Sequence, residues 1–256
     1  MQWLFDHPWL LGLLTAFLLS GAIEAGSQTG LRSRIQDDAN RKEQMVAIRD
    51  ALFVLTSLLL GFTLALVAPR YADRRSVLID EANAIGTTFL RAETLQEPHR
   101  GRVQRLLQQY VDARLDLGDA GLDEARQEDA IDRSKQIQAR LWQDLVDVAG
   151  TDRSAVTTAY MNALNETFDL HEKRVSAIEY RIPRPIWLLI FSVSTITVFT
   201  RGLTLSRRFW LTLVLAPLTI AIVIALIADL DTAGSGLIRI DQGAMQRLKV
   251  AMTVKP

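Results

Sequence analysis

The chain has 256 residues with 29 basic and 29 acidic side chains, so its net charge is zero and no nucleic-acid or acidic-substrate partner is implied. It has no cysteine, which excludes disulfides, thiolate chemistry and cysteine–metal sites, and its three histidines lie far apart in sequence. Hydrophobic residues make up 49%, ordinary for a globular protein, so the mean hydropathy of +0.13 reflects apolar residues gathered into runs.

Trp9 to Ala25 is the first of four runs fit to span a bilayer. Its leader MQWLFDHP carries an aspartate and no lysine or arginine, unlike the basic start of a secretory signal. The run therefore reads as a retained helix anchored at the interface by Trp3 and Trp9. Glu24 near its far end reads as a headgroup-level carboxylate, with a functional intramembrane acid as the lesser reading. Gly26 to Asn40 reads as a polar connection, and Arg41 to Asp50 as helix feeding directly into the second span.

The run from Ala51 to Leu95 organises the chain. Ala51 to Ala68 is apolar and uncharged, and at ~1.5 Å per residue it covers about 27 Å, close to the hydrocarbon thickness of a bilayer. Pro69 is the only breaker and is tolerable as a kink, so one helix is expected to leave the bilayer near Arg70 and continue into water. Arg70, Arg74 and Arg75, with Tyr71 among them, stand where snorkelling cations mark the interface. Further on, Leu78, Ala82, Ile85, Phe89 and Ala92 form an apolar stripe, with small Ala84 and Gly86 and small polar Asn83, Thr87 and Thr88 between them. Such a helix can be packed closely all round, at the centre of a bundle or an oligomer; an ordinary helix contact within one chain is the plainer alternative.

A helical region follows. Pro98 to Gly118 carries Val103, Leu106, Leu107, Tyr110, Val111 and Leu115 on one face, and Leu122 to Val148 carries Ile131, Ile137, Leu141, Leu145 and Val148. Thr151 or Asp152 can cap a third helix with the stripe Val156, Tyr160, Leu164, Phe168, Val175, Ile178 and Ile182. Pro183 and Pro185 end it. Ile186 to Leu205 is the third span; its serines and threonines are expected to bond back to backbone or to a neighbouring helix rather than line water. Phe209 to Ala228 is the fourth, with Pro217 inside it and Asp229 and Asp231 at its end.

The expected fold is therefore all-α, with four membrane helices and a helical domain between the second and third. The boundaries are 1–70 for a first hairpin (spans 9–25 and 51–69), 71–183 for the helical domain, 184–230 for a second hairpin (spans 186–205 and 209–228) and 231–256 for a polar tail. Four spans put both termini and the domain on one side. The other side carries Arg32, Arg34, Arg41, Lys42, Arg49, Arg201, Arg207 and Arg208; the domain side carries Arg70, Arg74, Arg75, Lys173, Arg174, Arg181, Arg184 and Arg239. The positive-inside rule has no preference between them.

Catalytic signals are poor. Gly234 to Gly236 (GSG) lacks the lysine and the strand of a phosphate loop, and His171–Glu172 has no second histidine at zinc-protease spacing. No serine sits in a nucleophile elbow, and Asp37–Asp38 reads as a solvated loop pair. The expectation is a non-enzyme without cofactor or metal, with His171 a satisfied or solvated side chain beside the third helix's stripe.

The segments GFTLALVAPRYADRR, EANAIGTTFLRA and QQYVDARL, with DLD and GLIRIDQ after the last span, resemble the bestrophin-like family of bacterial membrane proteins, distant relatives of bestrophin anion channels. The motif residues near the membrane exit are Arg70, Arg74, Arg75, Glu81, Asn83, Gly86, Thr87 and Arg91. The resemblance implies a homo-oligomer, pentameric as bestrophins are, in the bacterial inner membrane, with termini and helical domain in the cytosol and small inorganic anions as cargo. Bestrophins line a hydrophobic neck with three second-span residues spaced i, i+4, i+8, the last being the phenylalanine of a Gly-Phe pair. Gly61-Phe62 is that pair here, so the matching positions are Val54, Leu58 and Phe62. Spacing of four keeps them on nearly one face, and rings of such side chains can gate by dewetting. Leu58 stands where bestrophins usually have phenylalanine or isoleucine, and Val54 is smaller than isoleucine. The acidic cluster that clasps calcium in animal bestrophins has no counterpart after Asp231, so calcium gating is not implied. Two readings stand: an anion channel, or a non-conducting membrane scaffold or sensor whose helical domain binds a partner.

Overall fold

Residues 7–33, 38–121, 123–205, 210–232 and 236–254 of the computed structural model are described below. Among them the regular structure is entirely helical: α1 (Pro8–Arg32), α2 (Ala39–Ala92), α3 (His99–Asp119), α4 (Glu124–Thr151), α5 (Ala155–Glu179), α6 (Arg184–Leu203), α7 (Trp210–Asp231) and α8 (Gly243–Val254). Four stretches are long and apolar enough to cross a membrane, in α1, in α2, in Ala155–Leu203 and in Leu213–Asp231. In the third the apolar residues belong to α6, because Tyr180–Pro183 interrupt the helix before it. The all-α reading with four apolar spans thus matches the structure, and both Pro69 and Pro217 lie inside continuous helices.

The contacts group into two compact units. The first holds α1, α2 up to Pro69, α6 and α7. Its core joins Leu11, Leu19 and Ile23 of α1 to Leu60 and Val67 of α2, Ile190 and Val198 of α6, and Ile220, Ile224 and Ile227 of α7. The stretch expected to be a polar connection after Ala25 is instead helix as far as Arg32. Gly26 and Gly30 lie against α6: a Cβ on Gly26 would strike the carbonyl oxygen of Phe199, one on Gly30 would sit 2.5 Å from that of Leu203, and one on Gly202 would strike that of Ile23. Small residues four apart let two backbones meet this closely.

The hydroxyls of α6 behave as expected of a packed helix. Thr195, Thr197 and Thr200 bond back to the carbonyls of Phe191, Val193 and Ile196, and the Thr197 hydroxyl lies 2.7 Å from that of Thr56 in α2. At the end of α7, buried Asp229 accepts from the backbone N–H groups of Leu237 and Ile238 at 3.0 and 3.1 Å. Gly236 makes this turn with φ +103°, and a Cβ there would overlap the Asp229 carboxylate, so only glycine fits. Asp231 accepts from the Ile182 N–H at 3.0 and 3.1 Å. The two carboxylates of the DLD segment thus accept from separate backbone donors, Asp229 from the GLI segment and Asp231 from Ile182.

The second unit holds α2 from Arg70, α3, α4, α5 and α8. Leu78, Ala82, Ile85, Phe89 and Ala92 are all buried, as their spacing predicts, and most of them join the core with Val103, Leu107 and Tyr110 of α3 and Ile137, Leu141 and Leu145 of α4. Each fully buried large aliphatic side chain contributes roughly 1.5–3 kcal/mol. In α5 the expected stripe is partly displaced. Tyr160 and Leu164 are buried, but Val156 is exposed, and Thr167, His171 and Arg174 take inward positions. The N-cap of α5 is Ser154, with Asp152 accepting from the Ser154 N–H and both the Ser154 and Thr157 hydroxyls. The stretch read as a polar tail contains α8, which sends Met245 and Met252 into the core.

Candidate functional site

Two features of α2 carry the candidate chemistry, one in each unit. In the first unit, Thr56, Leu60, Thr63 and Val67 face the chain's own bundle and are buried. Val54, Leu58 and Phe62 point the other way and are 68%, 51% and 62% exposed. Gly61 and Ala65 lie on the same open face, and a Cβ on Gly61 would meet nothing within 4 Å. The three positions form one uncharged apolar strip with no partner among the described residues.

The arginines after Pro69 do not act alike. Arg70 lies over the Tyr180 ring, 4.5 Å from its centroid, and Arg75 is exposed. Arg74, expected at the interface, is instead 4% exposed; its Nε donates to the Ala177 carbonyl at 2.8 Å and its Nη2 to that of Tyr180 at 2.9 Å. A cation bonding the last carbonyls of α5 is a helix C-cap, which explains its burial. Of the small residues, Ala84 is buried, Thr88 bonds the Ala163 carbonyl and lies 2.8 Å from the Thr167 hydroxyl, and Gly86 lies close to Leu248 of α8. These three serve packing within the chain. Asn83 and Thr87 stay exposed, and Arg91 donates to the Ala159 carbonyl beside a shallow cleft shared by Thr87, Asn162 and Glu166.

Glu81 is the exception to that surface pattern. It is completely buried, with Oε1 2.6 Å from Nε of Arg114 and Oε2 2.7 Å from Nη1 of Arg174. Arg114 is 0% exposed and Arg174 5%. Arg174 also donates from Nη2 to the Gln242 side chain at 3.2 Å. The Arg114 contact is close but poorly aligned, and its Nη1 and Nη2 find no hydrogen-bond partner among the described residues. Two guanidiniums share one carboxylate, so the cluster keeps a net charge of about +1 in a low-dielectric setting. Burial pushes the Arg174 guanidinium below its ordinary value, with Glu81 opposing and Arg114 reinforcing that shift.

Glu81 comes from EANAIGT, Arg114 and Tyr110 from QQYVDARL, and Gln242 from GLIRIDQ. Three segments distant in sequence therefore meet at one buried ion cluster. Of its members, the motif residues singled out in the sequence included only Glu81. Arg114 was detectable in principle: Val103, Leu107, Tyr110, Arg114 and Leu117 follow helical spacing, which places an arginine on an apolar stripe. Arg174 follows Tyr160, Leu164, Thr167 and His171 in the same way.

Tyr110 completes the surroundings. Its hydroxyl accepts from Gln138 at 3.1 Å and lies 3.0 Å from Nδ1 of His171. His171 is completely buried, and its pKa is pushed down to about 3, first by burial and then by Arg114, Lys135 and Arg174. Glu172, 3.8 Å from Nε2, does not offset this. An unfolded histidine takes up a proton near pH 6.5 that the folded one refuses. Stability is therefore full above about pH 6.5 and is lost as pH falls toward 3, by up to ~1.4 kcal/mol per unit. The apparent unfolding midpoint of wild type, followed by tryptophan fluorescence, should decline from pH 6.5 to 5. His171→Gln should flatten that decline, and an equal slope in the two proteins would refute the assignment.

The geometry defines a class: an all-helical membrane protein with an uncharged, outward-facing strip on its second apolar helix and a buried ion cluster farther along that helix. The model of the Bestrophin-like domain matches residues 15–245, and the chain belongs to that family. The fold is shared with a single-substitution variant of a bacterial Bestrophin homolog from Klebsiella pneumoniae, at 15% identity and a TM-score of 0.67 over 97% of this chain and 99% of that one. A second structure of a bacterial Bestrophin homolog from Klebsiella pneumoniae aligns at 16% identity and a TM-score of 0.66 over 95% and 97%. No curated protein matches the sequence.

Proposed function

We propose that the protein is a homo-oligomeric ion channel of the bacterial inner membrane, pentameric and anion-conducting, with its helical domain and termini in the cytosol. Val54, Leu58 and Phe62 form the neck. The observation that carries this reading is their exposure on a helix whose opposite face is packed: an apolar strip turned away from its own chain fits a lumen ringed by copies of itself. Family membership supplies the prior for conduction. No ionisable residue lies from Ala51 to Ala68, so the neck would select by dehydration at apolar rings and by helix-end and backbone dipoles rather than by fixed charge.

Planar-bilayer recording of the purified protein tests this. Wild type should give discrete currents whose reversal potential follows the chloride gradient. Changing Val54, Leu58 and Phe62 together to alanine widens and wets the constriction, and should raise conductance or open probability several-fold. Silence in both proteins would favour the non-conducting scaffold, in which the strip faces lipid. Reversal at the cation potential would overturn anion selectivity while leaving the channel.

A further inference from the structure

The turn that follows α7 carries Leu237, which is 96% exposed, next to half-buried Ile238. We propose that this turn is a membrane-dipping anchor, with Leu237 seated among lipid acyl chains just below the headgroups. Its partner is the bilayer that the apolar helices cross, and conduction is not required.

A single exposed leucine on a protein surface is ordinary. This one differs in being held. Asp229, 4% exposed, commits both carboxylate oxygens to the turn, Oδ1 to the Leu237 N–H at 3.0 Å and Oδ2 to the Ile238 N–H at 3.1 Å. Gly236 bends with φ +103°, and a Cβ there would overlap that carboxylate. The same Cβ position lies 3.4 Å from Cγ of Pro8, so the turn rests on the start of α1, within the first unit. A side chain fixed outward before it meets its partner loses little freedom on insertion.

The level of the turn identifies that partner. The fourth apolar stretch runs to Asp231, and Leu237 is bonded to Asp229 inside it. Leu237 thus lies level with the last turn of the span rather than beyond it. Pro8 and Trp9 begin the first apolar stretch at the same end, and Trp9 is 61% exposed, as suits the interfacial aromatic belt. An exposed leucine level with the ends of two spans continues the apolar surface that those spans offer to lipid. A short apolar tip can enter the acyl boundary while its backbone stays among headgroups.

The chain has no cysteine, so Leu237→Cys gives one labelling site at an exposed position. A nitroxide attached there, in the full chain reconstituted into phosphatidylcholine–phosphatidylglycerol liposomes, is read by power saturation. Oxygen partitions into lipid, and a nickel chelate stays in water. Phe17→Cys, at an 81% exposed position within α1, supplies the lipid reference. The label at 237 should resemble that reference, with oxygen access about threefold above nickel access. Greater access for nickel would put the turn in water, and low access for both would put it against protein, a second copy included; either result overturns the proposal. On the same background Gly236→Ala should loosen the turn, sharpening the spectrum and lowering the oxygen-to-nickel ratio about twofold. A spectrum and ratio unchanged by Gly236→Ala would overturn the fixed anchor.

Discussion

Glu81→Ala is expected to lower the apparent unfolding midpoint by about 10 °C, the consequence of a loss of roughly 3–5 kcal/mol. The substitution leaves two guanidiniums, 0% and 5% exposed, without the carboxylate they share. Neither can shed its charge at accessible pH, because arginine stays protonated. Both must then draw in water or leave the core, and either route opens the packing of α2 against α3 and α5. Glu81→Gln should be milder, since an amide oxygen can still accept from Arg174. The informative companion is the triple change of Glu81 to leucine with Arg114 and Arg174 to methionine. Replacing a whole buried ion cluster by apolar groups is often neutral or stabilising, so this variant should fold with a midpoint near wild type. Thermal unfolding followed by tryptophan fluorescence, with size-exclusion profiles, reads all three. A Glu81→Ala midpoint within about 2 °C of wild type would show that the cluster is not buried as described.

That cluster marks the limit of what the sequence made legible. Periodicity finds the apolar stripe of α2 and the faces of α3 and α4 because each is local, repeating within a few residues. The partners of Glu81 lie 33 and 93 positions away, and a charged residue on an apolar stripe reads as solvated until its counter-ion is in view. Arg74 was misplaced for a related reason: near a membrane exit an arginine suggests snorkelling, yet the carbonyls of Ala177 and Tyr180 capture it. Met245 and Met252 are seven apart and so share a helix face, but in a short polar stretch that signal was too weak to predict α8. The strip of Val54, Leu58 and Phe62 was marked by the resemblance, through Gly61-Phe62, because Ala51 to Ala68 is uncharged throughout and spacing alone singles out no face of it.

Gly202→Val is expected to separate α1 from α6 and to keep the first unit from packing. The Cβ of any residue at Gly202 would overlap the carbonyl oxygen of Ile23 and sit 2.9 Å from the Gly26 Cα. These are backbone atoms inside a helix, so no rotamer change relieves the overlap and the helices must move apart. Overpacking of this kind costs about 1–3 kcal/mol even where side chains can yield, and here they cannot. The protein should lose its monodisperse size-exclusion peak in detergent, or show a midpoint lowered by several degrees. Gly21 of α1 is the control, because a Cβ there meets nothing within 4 Å. Gly21→Ala should be neutral or slightly stabilising, since alanine is the better helix former. Equal behaviour of Gly202→Ala and Gly21→Ala would refute the close crossing. Gly26 and Gly202 face each other, so the crossing also predicts coupling: once Gly202→Ala has forced the helices apart, Gly26→Ala should cost less than it does alone.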